Sequence, residues 1–298
     1  MEPKPKAPTQ LRRQRQQKTR EKGPTLSSRE VRIALRKSYW KITPKRNQEI
    51  RTDKIISHNM QGGWSQAHKK LQIESWLAEE SPMCAFIQEP MLADKHTEWH
   101  TVMRAPYKAY VHYGTSSGNG GLITLIHSTL AHKVIEKDII KDKQGRYMAI
   151  PIATLEPGVK MWFCNIYGPA ANKIEKQDKE QAEDSENETI TKEKEKFWQE
   201  EMYKQMNNIH QAGGPKDYIV LGMDANSIME VEMDASWEEL QKTTSWRNQQ
   251  IKQSRPFVKW AMEHQLWDTW RNKHRQERQY SRRPMPPQAQ KRIDMILV

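Results

Sequence analysis

A chain of 298 residues with 36% hydrophobic and 29% charged residues and a mean hydropathy of -0.97 has room for one large α/β domain plus a polar appendage. No stretch approaches the roughly 18 consecutive apolar residues of a membrane span, and two cysteines, Cys84 and Cys164, exclude both a disulfide framework and a CxxC zinc site. The net charge of +12 is unevenly spread: residues 1–50 hold 15 Lys/Arg against 4 acids, and the remaining 248 hold 34 against 33. Basicity therefore belongs to the leader, and a DNA sleeve covering the whole surface is not implied.

The leader mixes Pro, Gln and basic residues (LRRQRQQKTREKG), a composition that buries too little apolar surface to offset chain entropy, so disorder is expected over 1–50. Within it, Ser28 to Trp40 has an N-cap serine and a shared face at Val31 and Leu35, enough for a helical turn or two. Both cysteines sit in apolar runs, as buried thiols do in a reducing compartment, and the basic N-terminus lacks the apolar core of a secretory signal. The expectation is a soluble intracellular protein with no membrane partner.

From Lys54 onward, apolar runs of four to eight residues bounded by Gly, Pro or Asn alternate with helical patterns. Strands are predicted at Lys54 to His58, Met83 to Ile87, Leu122 to His127, Tyr147 to Leu155, Met161 to Tyr167, Tyr218 to Met223 and Ile293 to Val298. A helix over Gln66 to Glu80 places Ile73, Trp76 and Leu77 on one face, and a second runs from Lys196 to His210 with Trp198, Met202, Gln205 and Ile209. A third spans Pro256 to Gln265, with Phe257, Trp260 and Ala261 inward. Asn172 to Lys196 is rich in Glu and Lys, nearly free of apolar residues, and reads as a solvated loop. Many short strands with interspersed helices predict an α/β layered arrangement: a two-sheet β-sandwich flanked by helices, over residues 51–298.

Polar signatures fall at the ends of these strands, where rigid elements present side chains into a cleft. The first strand runs into Asn59 and Gln61 (SHNMQGG). The second ends in Glu89 (FIQEP), a carboxylate of the kind that holds Mg²⁺ together with substrate phosphate oxygens. Tyr167 (NIYGPA) offers a phenol that can donate to a phosphate oxygen. Asp224 and Asn226 (GMDAN) lie two residues apart and so point the same way from an extended chain: a carboxylate to orient water and an amide to donate to phosphoryl oxygens. Asp268 (LWDTWR) and Asp294 (RIDMILV) are flanked by apolar residues and need partners if buried; a structural role is favoured for Asp268.

In order and spacing, SHNMQGG, FIQEP, GNGGLITLI, DKQGRYM, NIYGPA, GMDAN, LWDTWRNKH and RIDMILV resemble the successive blocks of the endonuclease/exonuclease/phosphatase superfamily, and in particular the apurinic-type endonuclease domain of non-LTR (LINE-like) retrotransposons. The resemblance covers about Lys54 to Val298, and DKQGRYM and DTWRNKH tilt it toward the retrotransposon branch. It implies a DNase I-like fold and a Mg²⁺-dependent (or Mn²⁺-dependent) endonuclease that nicks DNA to leave a 3′-OH for target-primed reverse transcription. It further implies a reverse transcriptase domain as partner in the same or a longer polyprotein, and work in the nucleus.

Carried over by residue, the resemblance gives Glu89, with Asn59, to the metal. Asp224 would activate water, Tyr167 and Asn226 would hold phosphate oxygens, and Asp294 would orient a catalytic histidine. Ser281, standing where the family has a threonine, and Arg292 would bind substrate. Family members continue to a Ser-Asp-His block, whereas this sequence stops at Val298. A C-terminally truncated sandwich with one strand unpaired, and weak or absent nicking, is the corresponding expectation. Two other readings stay open: a phosphomonoesterase or phospholipase-like hydrolase of the same fold, and an inactive fragment that only binds nucleic acid.

Because phosphate neutralisation releases counterions, a leader carrying +11 should supply most of any non-specific DNA affinity. Deleting residues 1–50 is expected to flatten the dependence of DNA affinity on salt, measured by fluorescence anisotropy; an unchanged slope would place the contacts elsewhere.

Overall fold

The structure, a computed structural model, describes residues 51–62, 67–91, 106–114, 120–170, 182–236, 244–281 and 291–298. The leader, its Ser28 to Trp40 stretch and residues 172–181 lie outside the described residues.

Two mixed sheets stack face to face. The first contains β1 (Arg51–Asn59), β2 (Pro82–Gln88), β3 (Tyr107–His112) and β4 (Leu122–His127) in the order β1-β2-β4-β3. The second contains β5 (Ile140–Lys141), β6 (Tyr147–Ala153), β7 (Lys160–Tyr167), β8 (Tyr218–Asp224) and β9 (Asp294–Leu297) in chain order. Only β1/β2 and β7/β8 are parallel, and each of these pairs is joined through a helical crossover. Helix α1 (Ala67–Glu80) covers the outer face of the first sheet. Helix α2 (Ala182–Glu195) leads into a π-helical stretch Lys196–Glu201, which with α3 (Met202–Ala212) and α4 (Thr244–Glu263) covers the second sheet, α2 itself packing on α4. Among the described residues, no helix is long and apolar enough to cross a membrane.

Why the strands read as apolar runs follows from this layering, since each inner strand is covered on both faces. Along β7, Trp162, Cys164 and Ile166 face the helices, packing with Phe197, Trp198, Met202, Phe257 and Trp260. The alternate residues Phe163 and Tyr167 face the opposite sheet, against Cys84, Phe86, Leu122 and Ile126. In β2 the parity splits likewise, with Ala85 and Ile87 toward α1 and its Ile73 and Leu77. The sheets approach so closely that a Cβ on Gly222 would collide with the ring of Phe86. Each fully buried aromatic or aliphatic side chain contributes roughly 1.5–3 kcal/mol, so the three cores dominate stability.

The predicted strands all form, and two more join them. Tyr107–His112 escapes the alternation test because Lys108 and His112 interrupt it, and Ile140–Lys141 is too short to show a period. The third predicted helix begins twelve residues earlier, at Thr244, and carries Pro256 in its interior. The solvated loop expected over 172–196 needs correction: from Ala182 it is helical, held to the core by Ile190 and Lys194, which are 9% and 4% exposed. Its Glu/Lys composition masks a one-sided stripe, Ile190, Lys194, Phe197 and Trp198, at helical spacing.

A buried ionic cluster fixes the start of β9. Asp234, 0% exposed, accepts from Arg271 Nη2 at 2.6 Å and from Arg292 Nε at 2.9 Å, while Arg292 also pairs with Asp268. Asp268 in turn caps the short helix α5 (Thr269–Lys273), accepting from the backbone N–H groups of Trp270 and Arg271 at 3.1 Å. The structural role favoured for Asp268 is thus the one its contacts support. Arg292 corrects the substrate-binding expectation: its guanidinium is enclosed by two carboxylates, lies over the Trp270 ring, and is spent on the scaffold. Breaking such a cluster strands a buried charge, so Asp234→Ala should destabilise the fold by about 3–5 kcal/mol in urea denaturation. A loss below about 1 kcal/mol would mean that the arginines find water instead.

Candidate active site

Strand register assembles the site. On the second sheet Tyr167 of β7 stands opposite Asp224 of β8, which stands opposite Asp294 of β9, a row across three adjacent strands at one edge of the sandwich. Directly opposed residues have side chains about 5 Å apart, so a phenol and two carboxylates are gathered by backbone hydrogen bonding alone. On the first sheet β1 and β2 end together, with Asn59 opposite Gln88 and Glu89 next along the chain. The two strand ends meet across the sandwich: Asn59 Nδ2 donates to Glu89 Oε2 at 2.9 Å and also to Asp224 Oδ2. The Tyr167 hydroxyl donates to Glu89 Oε1.

Beneath this floor a buried polar network ties the sheets. Gln88 Nε2 donates to Asn165 Oδ1 at 2.9 Å and to Ser57 Oγ at 3.1 Å, and Asn165 Nδ2 donates to Ile123 O at 3.0 Å and to Thr124 Oγ1 at 3.2 Å. In a dry interior such bonds are costly to leave unmade, which makes the network a strong selector of how the two sheets register.

The rim is strained. Of six non-glycine residues with positive φ among those described, Gln61, Glu89, Met91 and Asn226 lie at these strand ends, with φ of 51°, 50°, 55° and 45°. Each costs on the order of 1 kcal/mol or more and persists only where surrounding contacts impose it. Glu89 is held by Met60 N–H donating to Gln88 O at 2.9 Å and Gly62 N–H to Glu89 O at 2.8 Å. Asn226 is held by its own N–H to Asp224 Oδ1 at 2.8 Å and by its side-chain amide to Gly168 O at 3.0 Å. Gly168 has to be glycine, since a Cβ there would collide with the Ala225 carbonyl.

The DKQGRYM block is a brace for Tyr167. Asp142 accepts from the N–H groups of Arg146 and Tyr147 at 3.0 Å and pairs with His112 Nε2 at 2.7 Å, which, together with the backbone bonds, holds its carboxyl below the usual range despite burial. The loop so formed offers Arg146 O to the N–H of Tyr167 at 2.9 Å.

Electrostatically the row is poised against itself. Asp224, 1% exposed, has its pKa pushed up to about 8, first by burial and then by the negative charge of Asp294, with Glu89 adding to it and the Asn59 and Asn226 donors opposing. Burial, with Glu89 beside it, holds Tyr167 far above the ordinary phenol range, so it remains a hydrogen-bond donor at any working pH.

A cleft of about 230 Å³ opens onto Asn59, Asp224, Ser281, Ile293 and Asp294, and continues into a groove of about 500 Å³ past Gln61, Lys69, Gln72 and Trp76. Ser281 lines both, though its Oγ already accepts the N–H groups of Ile293 and Asp294 at 3.1 Å and so anchors β9 as well.

Asn59, Glu89, Tyr167, Asp224, Asn226 and Asp294 thus converge as the sequence motifs suggested, whereas Arg292 does not. At Asn59, given to the metal with Glu89, the oxygen accepts from Gln61 N–H at 2.7 Å and the NH₂ group bridges the Glu89 and Asp224 carboxylates. Sequence reasoning missed Gln88, Asn165 and Lys194. The last is a lysine on the apolar stripe of α2, and only its spacing from Ile190 and Trp198 could have found it.

No protein-family model matches the sequence, and no curated protein does. Solved structures do. The Leishmania major AP endonuclease LMAP superposes with a TM-score of 0.60 at 12% identity, covering 91% of this chain and 90% of that one. The catalytic domain of Xenopus laevis APE2 gives 0.54 at 17% (82% and 81% covered), and an AP endonuclease from Archaeoglobus fulgidus 0.52 at 16% (82% and 85%). The chain has the DNase I-like fold of the AP endonucleases. Within that fold, the row of Tyr167, Asp224 and Asp294 sits at the strand ends, with Asp224 and Asp294 lining the cleft.

Since the pKa of Asp224 is raised from its ordinary value of 3.8 to about 8 on folding, its contribution to stability is complete below about pH 4 and is lost as pH rises toward 8. Asp224→Asn should therefore raise the thermal midpoint above wild type at pH 8 in chelator, with the gap closing toward pH 4. Equal midpoints at pH 8 would show the carboxyl to be well solvated.

Proposed function

We propose that the protein is a divalent-cation-dependent endonuclease that nicks DNA and leaves a 3′-OH. The observation carrying this reading is the convergence of Glu89, Asn59, Tyr167, Asp224, Asn226 and Asp294 in one hydrogen-bonded row at the strand ends beside the cleft, in an AP-endonuclease fold. The fold supplies the expectation of phosphodiester chemistry, and the site supplies the groups for it.

A hard cation suits this site on its own chemistry. The negative charges of Asp294 and Glu89 raise the pKa of Asp224, so the site is short of positive charge, and oxygen donors match Mg²⁺ or Mn²⁺. Among the described residues no three His, Cys, Asp or Glu side chains form an ion cage by themselves. Glu89 would therefore hold the ion with water and substrate phosphate oxygens completing the shell, as is usual for Mg²⁺. When bound, the ion supplies charge neutralisation at the scissile phosphate and at the departing 3′ oxygen.

The remaining work falls to the chain. Asp224, ionised once positive charge enters the cleft, accepts a proton from water as its oxygen attacks phosphorus. The P–O3′ bond breaks, and the 3′ oxygen takes a proton from solvent. Tyr167 and the Asn226 amide donate to the non-bridging oxygens, where charge accumulates in the transition state. Asp294, beside Asp224, raises the affinity of Asp224 for its proton, and would orient a catalytic histidine.

The DKQGRYM and DTWRNKH blocks support the narrower reading of a retrotransposon endonuclease working in the nucleus for an associated reverse transcriptase. On that reading the basic leader holds the chain on DNA.

The test is nicking of supercoiled plasmid in Mg²⁺, with Mn²⁺ in parallel, and end-labelling to identify the 3′-OH. Asp224→Asn and Glu89→Gln should each lower the rate by about 10²–10⁴. Rates unaffected by Asp224→Asn, or release of phosphate from inositol phosphates without any nicking, would remove the proposal.

A further inference from the structure

The acidic site has a buried cation behind it. Lys194 is 4% exposed, and its ammonium donates to the backbone carbonyl of Asn226 and to Ser227 Oγ, the latter at 3.3 Å. It arrives from α2, on the stripe Ile190, Lys194, Phe197 and Trp198. Burying an ammonium is expensive unless it gains something specific. Its gain here is a charge-assisted bond to the carbonyl of Asn226, in the turn that follows β8.

We propose that Lys194 is a positioning residue that clamps the turn Asp224–Asn226 in its strained conformation, so that the Asn226 amide and the Asp224 carboxylate keep the aim required by the reaction proposed above, on which this inference rests. Asn226 sits at φ 45°, and three tethers hold it: its N–H to Asp224, its amide to Gly168, and its carbonyl to Lys194. The first comes from the Asp224 carboxylate, which lines the cleft, whereas Gly168 and Lys194 line neither the cleft nor the groove. The charge is retained at a cost, since burial first and the nearby Lys291 second push the Lys194 pKa down to about 8, against the opposing pull of Asp224 and Glu193. Nothing in this arrangement reaches substrate, so the ammonium acts through Asn226.

Two readouts separate the inference from the activity it serves. Lys194→Met keeps the length of the side chain and removes the charge. Hydrogen exchange by NMR should then show faster exchange at the Asn226 N–H, by about tenfold or more, with β8 amides from Val220 to Met223 unchanged. In nicking assays kcat should fall about 10²-fold, the loss typical of a small misplacement, with KM within about threefold, and Lys194→Arg should recover part of kcat. Should the Met variant fail to fold, Lys194→Gln, which keeps a donor, takes its place in both measurements. Unchanged exchange at Asn226, or equal acceleration throughout β8, overturns the clamp whether or not the protein nicks DNA. Absence of nicking by wild type with selective loss of protection at Asn226 would instead count against the endonuclease reading alone and leave the clamp standing.

Discussion

Everything at the cleft depends on the register of three strands. Tyr167, Asp224 and Asp294 come from sites 57 and 70 residues apart along the chain, and no local propensity brings them together; the β7/β8/β9 ladder does. A slip of one residue in β8 would turn Asp224 into the helical layer and Met223 toward the cleft, because side chains alternate faces. Register is therefore overdetermined. Trp162, Cys164 and Ile166 fit only the helices, Phe163 fits only the facing sheet, and Gly222 leaves room for Phe86. Core packing in this sense is what aims the site, and the Gln88–Asn165 bridge does the same for the relation between the two sheets.

Within that frame, the partner a buried acid meets decides what it is for. Asp234 and Asp224 are equally enclosed, at 0% and 1% exposure. Two guanidinium groups compensate Asp234, so it serves the scaffold. Asp224 receives only neutral donors, from Asn59 and from the Asn226 N–H, while Asp294 and Glu89 press on it with like charge. Neutral donors orient a carboxyl without settling its charge. That leaves its ionisation to the charge of whatever occupies the cleft.

The same contrast explains what could be read beforehand. Strands covered on both faces announce themselves as unbroken apolar runs, so β1, β2, β4, β6, β7, β8 and β9 were legible, and polar residues at their ends pointed to the cleft. Tyr107–His112, half polar and short, carried no such signal. Arg292 and Asp294 illustrate the limit for sites: they are two residues apart in RIDMILV and look alike as candidates, yet one is swallowed by Asp234 and Asp268. Distinguishing them needs the position of Asp234, a residue 58 places away and outside every strand. Lys194 was hidden for a different reason, since a lysine in a run of Lys and Glu looks solvated until its spacing from Ile190 and Trp198 is measured.

Strain connects these strands of argument. A turn that must aim a side chain into a cleft cannot also bury that side chain, so packing cannot hold it, and at Glu89 and Asn226 hydrogen bonds to the backbone hold it instead. Backbone carbonyls and N–H groups are rigid and keep their geometry when substrate displaces side-chain bonds such as that between Tyr167 and Glu89. The polar contacts of the site thus divide into exchangeable ones among Asn59, Glu89, Tyr167 and Asp224, and permanent ones beneath them through Gly168, Arg146 and Asn226. A site built this way can trade its internal hydrogen bonds for those of a phosphate without relaxing its shape, which is the physical content of preorganisation.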